Sequence, residues 1–144
     1  MYFEEFKRGD TWELEAVRIS KEKMMEFARD YDNIPLHTDE EYAKTTIFGD
    51  LIAPGVMTFM SVWNRFLQMK ILGLEMIAGK STKIEWIKPV YANDVLTGRA
   101  TVSSLTERNA KNGIVEITVD VLNQNGVSVL INVTEIIVKR KPKN

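Results

Sequence analysis

The chain has 144 residues, of which 44% are hydrophobic and 27% charged, with a formal net charge of -1. This describes one soluble globular domain, residues 1–144, long enough to bury a substantial core, and its near-neutral charge argues against nucleic acid as a partner. With no cysteine there are no disulfides, no thiolate catalysis and no Cys-based metal site, and the single histidine, His37, argues against a multi-histidine metal centre.

The N-terminal "MYFEEFKRGD" lacks the basic-then-apolar layout of a signal peptide, so the cytoplasm is the expected location. "DTWELEAVRIS" places Trp12, Leu14 and Ala16 in period two and predicts a first strand. Ser20 can then cap a short helix with apolar positions at Met24, Phe27 and Ala28. That helix should end before Pro35, which lacks an amide hydrogen and pushes Ile34 out of the helical region. "TDEEYAKTT" predicts a second short helix, with Thr38 and Glu41 at the spacing of a capping box and acidic residues in the first turn.

The largest element is expected from about Gly55 to Leu72, with Gly73 as its stop and a length of roughly 27 Å. Its apolar residues cover most of the circumference, so it needs apolar cover on more than one side. The surrounding stretch "LIAPGVMTFMSVWNRFLQMKILG" is interrupted by Pro54, Asn64, Arg65, Gln68 and Lys70, which suits a buried helix and not a membrane span.

Everything downstream has the character of strands. "KSTKIEWIKPVY" and "LTGRATVSSLTER" are followed by two long strands joined at Asn125-Gly126, a signal for a type I′ hairpin. Val115, Ile117, Val119 and Val121 alternate on one face. Val127, Val129, Ile131 and Val133 do the same, and the phase then moves to Ile136 and Val138, which predicts a bulge or bend near Thr134. The basic ending "KRKPKN" reads as a solvated tail. The expected fold is α+β, a long central helix wrapped by a curved antiparallel sheet. The sheet's free edges predict a dimer.

For chemistry, the loop "DNIPLHTDEEYA" holds Asp32 five positions before His37. On one regular helix the two would point about 140° apart, but across a loop bent at Pro35 they can converge. A carboxylate and an imidazole facing one cavity can hold a water and move its proton. The same residues are also compatible with a surface loop in which Asp32 caps a neighbour and His37 is solvated. Close behind follows "FGDLIAPG", which runs into the start of the long helix. The amides of Gly55 and Val56 lack intrahelical partners there, and Gly55 has no side chain to obstruct a ligand, so this helix start can stabilise an oxyanion. Proline and glycine are equally common around helix starts for structural reasons alone.

Residues 27 to 58, "FARDYDNIPLHTDEEYAKTTIFGDLIAPGVMT", resemble the signature region of the MaoC-like dehydratases, the (R)-specific enoyl-CoA hydratase family. The pattern D-x-N-P-x-H-x-D, an alanine, then F-G-x-x-I-A-x-G is matched at Asp32, Pro35, His37, Asp39, Ala43, Phe48, Gly49, Ile52, Ala53 and Gly55. "WIKPVYANDVLTGRATV" resembles a later part of the family less specifically. The resemblance implies a hot-dog fold, usually dimeric. It implies Asp32 and His37 as the catalytic pair and the Gly55 amide as oxyanion donor. It further implies water addition to a trans-2-enoyl thioester, giving the (R)-3-hydroxyacyl thioester, or the reverse dehydration. The substrate would be carried on CoA or acyl carrier protein, with no metal, flavin or nicotinamide. One departure stands out: the family's Asn or Gln two after the aspartate is Ile34 here.

Two other readings remain open. One is hydrolysis of an acyl-CoA thioester by water activated near the helix start. The other is a non-catalytic acyl-thioester-binding subunit, a reading that Ile34 keeps open. Met57, Phe59, Met60, Trp63 and Phe66 could line an acyl channel or simply fill the core. Lys83, Lys88 and Arg99 could meet a CoA phosphate or lie on a solvated strand face.

Overall fold

A computed structural model describes residues 1–143. Its strands are β1 (Thr11–Glu13), β2 (Val17–Arg18), β3 (Met76–Trp86), β4 (Val95–Glu107), β5 (Asn112–Leu122) and β6 (Ser128–Lys139). Its helices are α1 (Lys21–Tyr31), α2 (Pro35–Thr38), α3 (Glu40–Lys44) and α4 (Gly55–Gln68). The strands form an antiparallel sheet in the order β1-β4-β5-β6-β3, and β2 also pairs with β4. This is the hot-dog arrangement, a helix held against a curved sheet.

The predicted first strand is split. Trp12 and Leu14 turn inward, but the phase then moves to Val17 and Ile19, leaving Ala16 exposed between two short strands that both pair with β4. Helix α1 starts as expected, with the Ser20 hydroxyl accepting from the Lys23 amide at 3.2 Å. It buries Met24 and Ala28 and ends at Tyr31, ahead of Pro35.

Helix α4 is shorter than the sequence predicts, 14 residues or about 21 Å. The chain leaves it at Lys70, which takes the left-handed conformation (φ 58°) in which a helix commonly stops, so Gly73 plays no part in the stop. Met57, Phe59, Val62 and Phe66 bury one side of α4. Val62 lies over Gly98 of β4, where a side chain would meet its Cγ1 at 2.8 Å, and Phe66 packs on Trp12. The opposite side is uncovered: Val56, Met60 and Leu67 are exposed, so apolar cover around the whole helix is not found within one chain.

In the sheet, Val115, Ile117, Val119 and Val121 of β5 are buried as their alternation predicts. The β5–β6 hairpin is not type I′. That turn needs positive φ at both central residues, and Asn125 does not have it. The Asn123 carbonyl instead accepts from the Gly126 amide at 3.0 Å, Gly126 alone takes φ +73°, and Asn123 pairs with Val127 across a three-residue loop.

The predicted bulge at Thr134 is also absent. The β5–β6 register runs unbroken from Gly113↔Val138 to Val121↔Leu130. The inward face of β6 is Leu130, Asn132, Thr134, Ile136 and Val138, in one constant phase. Two of those inward residues are polar, which is why the apolar pattern looks shifted. Their cost is met by hydrogen bonds: the Asn132 amide donates to the Thr82 hydroxyl (2.7 Å) and the Lys83 carbonyl (3.0 Å), and Thr134 donates to Asn132 Oδ1 (2.7 Å). The irregular pairings lie in β3, between Met76 and Ala78 and between Gly79 and Ser81. Among the described residues no helix is long and apolar enough to cross a membrane.

Candidate active site

The site forms where α1 ends, α2 turns and α4 begins. Asp32 is the first residue beyond α1, in a non-helical conformation (φ -153°, ψ 58°) that turns the chain out of the helix axis. Pro35 then opens the single turn α2, and His37 sits within that turn. The predicted capping box is displaced by one residue. Asp39 caps α3, accepting from the Tyr42 amide at 3.1 Å, while the Thr38 hydroxyl donates back to the Ile34 carbonyl.

This bend brings the predicted pair together, with His37 Nε2 lying 3.2 Å from Asp32 Oδ2. His37 is only 6% exposed, whereas the Asp32 side chain keeps a face toward solvent. The other ring nitrogen, Nδ1, is 2.7 Å from the Ile52 carbonyl. A carbonyl can only accept, so Nδ1 carries the hydrogen and donates it. In a neutral ring the bare Nε2 then faces the carboxylate. Two acceptors this close need either a proton between them or a water donating one O–H to each, and the second arrangement holds a water ready for chemistry.

The Ile52 carbonyl is itself fixed. The Ala53 amide donates to Val90 (2.7 Å), Ile52 bridges Tyr91, and the Tyr91 hydroxyl donates to the Phe48 carbonyl (2.8 Å). These bonds tie the segment ahead of α4 to the chain between β3 and β4. They lock the His37 ring to the same short segment that leads into Gly55.

Asp32, His37 and Gly55 line one pocket of about 510 Å³. Leu36, Phe48, Ile52, Val56, Trp86, Ile87 and Val90 make its wall largely apolar, and Lys88 and Thr58 stand at it as well. Of the three basic residues singled out from sequence, only Lys88 is there. Lys83 is exposed on β3, and Arg99 pairs with Glu13 at 2.5 Å. The suggested channel residues Met57, Phe59, Met60, Trp63 and Phe66 do not line this pocket. Ile34 is 44% exposed and takes no part in the wall, so the departure from the family pattern leaves the three site residues in place.

Sequence reasoning gave Trp86, Ile52 and Phe48 no part in the site, although Ile52 and Phe48 match the family pattern. Trp86 ends β3 and lays the face of its indole over Gly55, where any Cβ would collide with it (2.7 Å from Cζ2). The Ile52 contribution is a backbone carbonyl, which no side-chain pattern announces. The usable signal for Trp86 is an aromatic residue closing an otherwise polar strand.

Comparison with known proteins agrees with this arrangement. The profile of the MaoC like domain matches residues 6–125. The chain is 28% identical to the uncharacterized protein YdeM of Bacillus subtilis over 97% of its own length and 100% of that protein's. It is 34% identical to an (R)-specific enoyl-CoA hydratase of Rhodospirillum rubrum over 72% of this chain and 71% of that one. The crystal structure of a MaoC-like dehydratase from Rhodospirillum rubrum superposes with a TM-score of 0.90 at 28% identity, covering 99% of both chains. Fold, pocket and sequence together place this chain in the MaoC-like domain family.

Proposed function

We propose that this protein adds water to trans-2-enoyl thioesters to give (R)-3-hydroxyacyl thioesters, or catalyses the reverse dehydration. The observation that carries the reading is the convergence of Asp32, His37 and the Gly55 end of α4 on one apolar pocket. Hydration and dehydration of enoyl thioesters is also the chemistry that the family supports in general.

In the forward direction a water held by His37 Nε2 and the Asp32 carboxylate adds its oxygen to Cβ of the enoyl group. The Cα=Cβ electrons move toward the thioester carbonyl, whose oxygen takes up enolate charge. The Gly55 amide, unpartnered at the first turn of α4 and at the positive end of the helix dipole, receives that charge. The proton lost by the water passes to the Asp32/His37 pair, which acts as one coupled unit, and is returned to Cα. The Nδ1–H bond to Ile52 keeps Nε2 turned toward the pocket throughout.

The test is loss of the enoyl absorbance of crotonyl-CoA and of a longer trans-2-enoyl-CoA on adding purified protein. His37→Ala and Asp32→Asn should each lower kcat by about 10²- to 10⁴-fold while the far-ultraviolet spectrum stays that of the folded protein. A His37→Ala variant that kept most of the activity would sink the assignment. Release of free thiol would replace it with thioester hydrolysis, and ligand binding without turnover would leave a binding subunit.

The free edge of β3 and the exposed Val56, Met60 and Leu67 of α4 support a homodimer as the working form. Sedimentation should give twice the chain mass, and a monomer at micromolar concentration would refute it.

A further inference from the structure

We propose that Tyr91 is a positioning residue for the Asp32/His37 pair, an inference that rests on the hydration reading above. Tyr91 stands outside the pocket lining, and its phenol acts through the backbone that runs from Phe48 to Ala53.

That segment aims the histidine. The Ile52 carbonyl takes the Nδ1 hydrogen of His37 (2.7 Å), and the Ala53 amide of the same peptide unit donates to the Val90 carbonyl (2.7 Å). In a planar trans peptide the two groups point in opposite directions, so Val90 and His37 hold one rigid plate from its two sides. Turning that plate turns the imidazole, and with it the bare Nε2 that lies 3.2 Å from Asp32 Oδ2. The Val90 bond alone leaves the plate free to swing about a single contact. A second hold comes from the Tyr91 hydroxyl, which donates to the Phe48 carbonyl at 2.8 Å where the segment begins.

The other bonds of Phe48 and Gly49 cannot replace it. Their amides donate to the hydroxyl (3.2 Å) and carbonyl (3.1 Å) of Thr46, which shapes the loop from within and ties it to nothing beyond itself. Tyr91, by contrast, stands on a fixed turn. Asp94 accepts from the Tyr91 amide (2.9 Å) and donates back to the Tyr91 carbonyl (3.2 Å), and the Asn93 amide donates to the Ile19 carbonyl just beyond β2 (2.7 Å). Proton transfer needs its groups held within about 0.5 Å, and a bond from such a turn supplies that restraint. Phe48 is also in the pocket wall, so the same hydroxyl fixes the wall relative to the pair.

The experiment compares wild type, Tyr91→Phe and Thr134→Val by turnover of crotonyl-CoA and by the imidazole nitrogen resonances of the free protein. His37 is the single histidine, so those resonances are unambiguous. Phenylalanine keeps the ring and removes only the hydroxyl. Thr134→Val weakens β6 outside the pocket lining and controls for a general loss of stability. In Tyr91→Phe, kcat should fall about three- to thirtyfold with KM within about twofold, and the His37 Nδ1 hydrogen should exchange faster with water. Thr134→Val should keep the wild-type kcat and resonances. A Tyr91→Phe variant with unchanged kcat, with loss confined to KM, or with the His37 resonances of wild type would overturn this inference. An equal loss of kcat in Thr134→Val would overturn it too, since stability and not position would then govern the rate. A wild type without turnover would overturn the hydration reading, while the resonances would still decide whether the Tyr91 hydroxyl fixes the ring.

Discussion

Strands β3 and β5 are both eleven residues long and both antiparallel, yet they serve different ends. β5 lies between β4 and β6, and every second side chain from Val115 to Val121 is buried. β3 is an edge strand, bonded to β6 alone, and it is exposed over most of its length on both faces. Its sequence, "MIAGKSTKIEW", is mixed and polar where β5 is regular and apolar. The irregular register near its start and the aromatic at its end belong to a strand that is not bound into the core. Of the two, the strand that contributes less to the core is the one that supplies a wall of the pocket, and the two tasks can be separated by mutation.

The sharpest separation is Ile117→Ala against Lys83→Ala. Ile117 is fully buried in the middle of β5, and truncating it removes its packing and leaves a cavity, at a cost of about 2–5 kcal/mol. Lys83 is exposed on β3, and its truncation should stay within about 0.5 kcal/mol. Urea denaturation of both variants measures the difference. Similar losses at the two positions would mean that β3 is part of the core after all.

The polar join between the strands comes next. Thr134→Val keeps shape in β6 but leaves the side-chain oxygen of the fully buried Asn132 without its donor. The expected loss is about 1–3 kcal/mol, read from the same denaturation curves. A neutral result would show that the Thr82–Asn132–Thr134 cluster does not hold β3 to β6.

The same cluster marks the limit of what the sequence discloses. β5 is legible because burial and alternation coincide, and α1 because Ser20 is a capping residue in the right place. β6 is misread because Asn132 and Thr134 occupy inward positions that a hydrophobic pattern assigns outward. The end of α4 is misread because Lys70 adopts the conformation that glycine usually supplies. At the site, the loop bent at Pro35 makes the meeting of Asp32 and His37 foreseeable, and the helix start at Gly55 has its own signal in Pro54. Trp86 is not foreseeable from spacing, since its approach to Gly55 depends on how β3 crosses the start of α4. The Ile52 carbonyl is hidden for a simpler reason: every residue has one.

The smallest expected effect lies where the N-terminus closes over the start of β5. Phe3 packs against Gly113, and Glu4 accepts hydrogen bonds from the Lys141 amide (3.0 Å) and the Arg140 guanidinium (2.9 Å) just beyond β6. Among the described residues β3 has no comparable seal along its free edge. The Lys141 amide first, and then Arg140, pull the Glu4 carboxyl down from 4.5 to about 2. A carboxyl lowered on folding favours the folded state wherever it is ionised in both states, which is above about pH 4.5. That contribution fades as pH falls from 4.5 and is gone below about 2, where both states are protonated. Glu4→Gln should therefore melt below wild type at pH 7, and the gap should close steadily on acidification through that window. Both partners are near the surface, so the gap should also narrow in high salt. A difference in melting temperature that was the same at pH 7 and pH 3 would mean that the residue's shape, and not its charge, seals the end of β5.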